Sequence, residues 1–195
     1  IGKRKLWVGD TAQLGPVLSL NDNRVKSNLF DDFKEGFRTL TTKRIYPTYQ
    51  LTATFRLTQR SANYTGYFYN GTLISKSTIN PIVLNSFSKI LNSNGGPTLV
   101  LTDMEVGDTA PKYAVDMATY FVYAILKEQP QIEIAVLTCL RKTTRVLQEA
   151  IALRLGLGNK VMIETIARVQ GLTTDITLFF IPNASLNRSL EARLF

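Results

Sequence analysis

From residue 112 onward the chain alternates helix-length amphipathic segments with short apolar runs, and few folds accept that order. Lys112 to Gln129 carries Val115, Ala118, Val122 and Ile125 at helical spacing. Ile132 to Thr138 follows as a strand. Thr143 to Leu155 is predicted helical, with Val146, Leu147, Ala150 and Ile151 on one face and Gly156 ending it. Val161 to Thr165 and Asp175 to Ile181 are two further strands, and Ser189 begins another helix. Strands this uniformly apolar, separated by helices, imply a mainly parallel sheet covered on both faces. The predicted fold class is therefore a three-layer α/β domain.

The upstream half is less regular. Lys5 to Gly9 is predicted as a short strand, and Asn28 to Phe37 as a helix. Arg44 to Phe55 is predicted as a linker leading into a strand. Thr58 is a good N-cap for a helix running to about Asn70, where Gly71 would stop it. Its aromatic residues Tyr64, Tyr67, Phe68 and Tyr69 are expected to pack in the fold rather than to form a stacking platform. Residues 75–97, rich in Ser, Asn, Gly and Pro, are expected to be irregular, and Thr98 to Thr102 to form a strand. Two domains result: residues 1–45 as the tail of a preceding domain, and residues 46–195 as the α/β domain.

Composition narrows the chemistry. The 195 residues carry a formal charge of +8, with a pI of about 9.7. A basic surface of this kind favours a polyanionic partner such as nucleic acid. Histidine is absent, which removes His metal sites and His-dependent triads. A lone cysteine, Cys139, forms no internal disulfide and fits a cytoplasmic compartment. It is expected to be a half-buried small residue, since no base lies near it in sequence. No apolar run approaches the roughly 18 residues of a membrane span, so no membrane partner is expected.

Four strings carry chemistry. In VGDTAQLGPV, Asp10 and Gln13 follow a strand end, where an acid and an amide can meet a ligand at the sheet edge. In QLTATFRL, Arg56 can present a guanidinium at a strand-to-helix turn, and Phe55 a ring face. In TCLRKTTR, Thr138, Arg141 and their neighbours join hydroxyls and cations at a helix start, which suits a nucleic-acid backbone. In ETIARVQG, Thr165, Gln170 and Gly171 place a hydroxyl, an amide and an open backbone near the same edge. Solvated turns and ordinary caps would use the same residue types.

Taken in order, these strings resemble superfamily-1 helicases, especially the branch of the nonsense-mediated-decay RNA helicase and the Dna-two nuclease–helicase. VGDTAQLGPV is similar to motif III. QLTATFRL with FYNGTL is similar to the region that reads L-x-x-Q-Y-R-M and F-Y-x-G-x-L. AVLTCLRKTTRVL resembles the V-I-T-P-Y-x-x-Q segment, ETIARVQGLTTDITLFFIP resembles motif V, and SLEARLF resembles the lead-in to motif VI. The resemblance implies two RecA-like lobes of the P-loop NTPase type, clamping ATP and Mg²⁺ and moving along single-stranded DNA or RNA. Residues 1–45 would be the end of the first lobe and 46–195 most of the second, truncated before motif VI.

By the same resemblance Gln13 senses the γ-phosphate and Arg56 acts as an arginine finger. Asp10 belongs to the same nucleotide-coupling loop, and Phe55 packs on adenine. Gln170 and Gly171 line the nucleotide cleft, while Thr138, Arg141 and Thr165 meet the strand. The sequence departs from the family at Thr173, where an acid usually meets the ribose, and at Cys139, Leu140 and Thr143. It holds no G-x-x-x-x-G-K-[ST] loop and no Asp-Glu pair for Mg²⁺. The fragment alone is therefore expected to lack ATPase activity. Two alternatives use the same residues: a non-enzymatic nucleic-acid-binding module on a degenerate RecA-like fold, and an unrelated doubly wound enzyme such as a methyltransferase.

Overall fold

A computed structural model describes residues 6, 8–12, 36–43, 47–101, 109–156, 160–169 and 171–182. The chain gathers into two compact units, Ile1–Ile79 and Asn80–Phe195. It is mixed α/β with small parallel sheets. The boundary expected at residue 45 falls at positions outside the described residues, as do the helix expected from Ser189 and most of the one expected from Asn28. Of the strand expected from Lys5 to Gly9, the described residues Leu6, Val8 and Gly9 have no strand conformation. Among the described residues no helix is long and apolar enough to cross a membrane.

The first unit contains helix α1 (Gly36–Lys43), strand β1 (Ala53–Thr54), helix α2 (Gln59–Gly66) and strand β2 (Ile74–Ser75). β1 and β2 pair in parallel, Ala53 opposite Ile74 and Thr54 opposite Ser75. Thr58 caps α2 as its residue type predicts: its Oγ1 accepts from the Ser61 N–H at 3.4 Å. A 3₁₀ turn, Tyr67–Tyr69, prolongs the helix. Asn70 and Gly71 then take φ values of 54° and 71°, and the Gly71 N–H closes the end onto the Gly66 carbonyl at 2.8 Å.

The second unit holds helix α3 (Lys112–Glu128), strand β3 (Ile134–Thr138), helix α4 (Arg141–Leu155), strand β4 (Met162–Thr165) and strand β5 (Ile176–Phe180). Its sheet is parallel throughout, in the order β4-β3-β5. On one face Ile134 and Val136 of β3 line up with Ile163, Ile176 and Leu178. They share a core with Val122 and Ile125 of α3 and with Leu147 and Ile151 of α4. Burying each such side chain stabilises the fold by about 1.5–3 kcal/mol.

One expectation needs correction. Residues 98–101 form no strand, and Leu99 and Leu101 are exposed. An apolar run becomes a strand only where another strand accepts its hydrogen bonds, and these residues have no strand partner among the described ones. Among the described residues, both long helices pack on the face of the sheet that carries Ile134, Val136, Ile163, Ile176 and Leu178, while Ala135 is buried on the opposite parity. Thr177 and Phe179 on the other parity are exposed. The connection from β4 to β5, residues 166–175, supplies a 3₁₀ turn rather than a helix to lie there.

Small polar ties complete the second unit. Asp175 Oδ2 accepts from the Glu133 N–H at 2.9 Å, fixing β5 beside the start of β3. Glu128 accepts from the backbone N–H groups of Asn85 and Ser86, and its carboxyl is held below the usual carboxylate range first by the Ser86 side chain and then by these backbone bonds.

Leu147→Ala and Ile151→Ala, at positions with no exposed surface, are each expected to lower unfolding free energy in urea by about 2–5 kcal/mol. Leu153→Ala on the exposed side of the same helix is expected to change it by less than about 0.5 kcal/mol.

Candidate functional site

The carboxyl ends of β3 and β4 bring Thr138 and Thr165 together as directly paired neighbours. In an open α/β sheet this is the edge where ligands bind. Thr138 is fully buried, and its hydroxyl is committed inside the fold. It lies 2.8 Å from Thr144 Oγ1, and both hydroxyls lie 3.1 Å from the Leu140 carbonyl, so one donates to the carbonyl while it accepts from the other. Thr143 Oγ1 donates to the Thr109 carbonyl at 2.7 Å. A buried hydroxyl left unbonded would cost about 1–3 kcal/mol, so this cluster fixes the turn from β3 into α4. Thr165 is half-buried at the end of β4.

That turn ends at Leu140, and no side chain caps α4. Its first turn carries no acid. Arg141, Lys142 and Arg145 stand there instead, all exposed. Cations beside a helix N-terminus oppose the helix dipole by a few tenths of a kcal/mol each. An anion bound at this edge would reverse that sign, since the N–H groups and the cations would then act together. Cys139, in the same turn, is exposed rather than half-buried as its residue type suggested. Partial desolvation lifts its thiol above the ordinary range, which disfavours the nucleophilic thiolate.

Gly171 sits in the β4–β5 connection with φ 87°, where the Leu172 N–H closes a turn onto the Val169 carbonyl at 3.0 Å. A side chain there would meet no steric obstacle but would strain the backbone. Gln170 and Gln13 lie outside the described residues.

The remaining expected residues belong to the first unit. Phe55 and Arg56 follow β1 in a turn, and both are exposed. Thr54 Oγ1 accepts from the N–H groups of Arg56 and Leu57, each at 3.4 Å, and so shapes that turn. An exposed ring beside an exposed guanidinium fits the base and the phosphates of a nucleotide. The loop that would cradle the phosphates is not in the sequence.

Asp10 has a partner that sequence reasoning missed. Its Oδ1 accepts from the Ala12 N–H at 3.0 Å, holding its own turn. Its Oδ2 accepts from Tyr69 Oη at 2.6 Å. Tyr69 comes from FYNGTL, which the resemblance already tied to the same set of strings, but nothing in the residue types predicted the contact. A shallow cleft of about 750 Å³ between α3 and α4, lined by Asp116, Thr119, Ala150, Leu153 and Arg154, holds none of the expected residues.

The bond to Asp10 pushes the Tyr69 phenol up to about 12, with burial and the carboxylate's charge adding smaller parts. The neutral phenol is thus the folded form. Its contribution to stability is complete below the ordinary tyrosine value near 10 and is lost as pH rises through about 12. Ultraviolet titration is expected to show one tyrosine ionising last, and Tyr69→Phe should remove that late step alone. No protein-family model matches this chain, and no curated protein matches it.

Proposed function

We propose that this chain is part of an ATP-dependent superfamily-1 helicase, holding the end of its first RecA-like lobe and most of the second. The order and spacing of four motif-like strings support that reading. The single structural observation behind its nucleic-acid side is the β3–α4 junction. A buried threonine cluster there fixes a helix start that has no acid and three exposed cations. Such a site suits the phosphates of a single strand.

In this reading Arg141 contacts strand phosphate, with Thr165 beside it, while Thr138 holds the turn that aims Arg141. Phe55 lies against the adenine, and Arg56 supplies positive charge to the transferring phosphoryl group. Asp10 and Gln13 form the coupling loop, and Gln170 and Gly171 border the nucleotide. ATP with Mg²⁺ supplies the phosphoryl-transfer chemistry when bound. Its phosphate loop and metal-holding acids would come from the first lobe of the same polypeptide. The three-layer RecA-like architecture, the two-lobe division near residue 45 and a cytoplasmic location belong to the same proposal.

A second reading, a binding module without ATPase activity, is favoured by the missing phosphate loop together with the basic edge. The two differ in a longer polypeptide carrying this chain. Strand-stimulated ATP hydrolysis, lost in Arg56→Ala, is the helicase outcome; strand binding without hydrolysis is the other.

The chain by itself is expected to hydrolyse no ATP above background, and steady turnover by the pure protein would overturn the proposal. It is also expected to bind a single-stranded oligonucleotide in a salt-sensitive way. Arg141→Ala should weaken binding and reduce the log–log salt slope by about 0.7, one single-strand phosphate contact. An unchanged slope would remove Arg141 from the strand site.

A further inference from the structure

The segment from α2 through the 3₁₀ turn that follows it exposes its large side chains. Arg60, Tyr64, Tyr67 and Phe68 lie at i, i+4, i+7 and i+8, the last two in the turn. The residues buried are instead Ala62 and Gly66. A Cβ added at Gly66 would meet the Leu73 Cβ at 3.7 Å, an ordinary contact distance. With the small residues turned inward, Tyr64, Tyr67 and Phe68 are 57%, 85% and 71% exposed. The rings are ordered against one another and against a cation. Tyr67 and Phe68 meet edge to face at 5.9 Å, and the Arg60 guanidinium lies over the Tyr64 ring at 5.6 Å.

The surrounding charge indicates what could cover this face. The first unit carries twelve lysines and arginines against five acids, and one of those acids, Asp10, accepts from the neighbouring Tyr69. An apolar protein partner would gain nothing from that net positive charge, whereas a polyanion carrying flat apolar rings would match both features. We infer that the outward stripe of α2 is a base-stacking platform for single-stranded nucleic acid, with Tyr64, Tyr67 and Phe68 receiving bases and Arg60 supporting the Tyr64 ring. The inference shares its partner with the proposed function but not its site, since Arg141 lies in the other unit. The expectation that these aromatics pack inside the fold is corrected for all three.

The test compares a labelled twenty-nucleotide oligo(dT) with an abasic deoxyribose-phosphate strand of equal length, by fluorescence anisotropy at low salt. The intact chain is expected to prefer oligo(dT) by tenfold or more. Tyr67→Ala and the triple variant Y64A/Y67A/F68A should lose about tenfold per ring for oligo(dT) and nothing for the abasic strand. Tyr67→Trp should keep the preference. Arg141→Ala should weaken both strands alike, which separates failure at the β3–α4 edge from failure here. Equal binding of the two strands by the intact chain, no binding at all, or unchanged oligo(dT) binding by both alanine variants would overturn the inference. A dimer in sedimentation that the triple variant breaks, without loss of base preference, would assign the face to a second copy and overturn it too. Circular dichroism checks folding, and Tyr67→Ala, at the most exposed ring, stands in if the triple variant unfolds.

Discussion

Burial of one face of the β4-β3-β5 sheet under two helices is the constraint on which the second unit depends. Val136 at its centre, Val122 from α3, and Leu147 and Ile151 from α4 are all completely buried. Because β3 pairs on both sides, its register sets that of β4 and β5 together. A one-residue slip of β3 would move Ile134 and Val136 to the face away from α3 and α4. The same register sets Thr138 beside Thr165, so the candidate strand edge is a consequence of core packing rather than an addition to it.

The edge then depends on polar satisfaction. Thr138, Thr143 and Thr144 are buried; the hydroxyls of Thr138 and Thr144 are bonded within the turn, and that of Thr143 donates to the Thr109 carbonyl. This rigid base presents Arg141, Lys142 and Arg145 without an acid to pair them within the first turn of α4. A helix start so charged is mildly unfavourable in isolation. A strand phosphate offers the compensating charge.

Much of the second unit was legible in the sequence. The helices and strands after residue 112 fall within about two residues of the expected limits, because a long apolar stripe at helical spacing leaves little ambiguity. Thr98 to Thr102 misled because strand formation depends on a distant partner that a local apolar run does not reveal. In the first unit the cap at Thr58 and the stop at Gly71 followed from residue type alone. The orientation of α2 did not, since its buried residues are the small Ala62 and Gly66 rather than its aromatic ones. Nor did the bond between Asp10 and Tyr69, which joins residues far apart in the chain. Of the candidate site, sequence identified the cations and hydroxyls of the β3–α4 junction, but not that the Thr138 hydroxyl faces inward.

The proposed grip on a single strand lies at the outward aromatic face and the β3–α4 edge rather than in diffuse positive charge. Photocrosslinking with an oligonucleotide carrying 4-thiothymidine, followed by mass spectrometry of the crosslinked peptides, distinguishes the two. Crosslinks are expected to concentrate at Tyr64 to Phe68 and at Cys139 to Arg145, and to be removed by excess unlabelled oligo(dT). Crosslinks scattered over lysine-rich peptides elsewhere, or confined to neither segment, would contradict that placement.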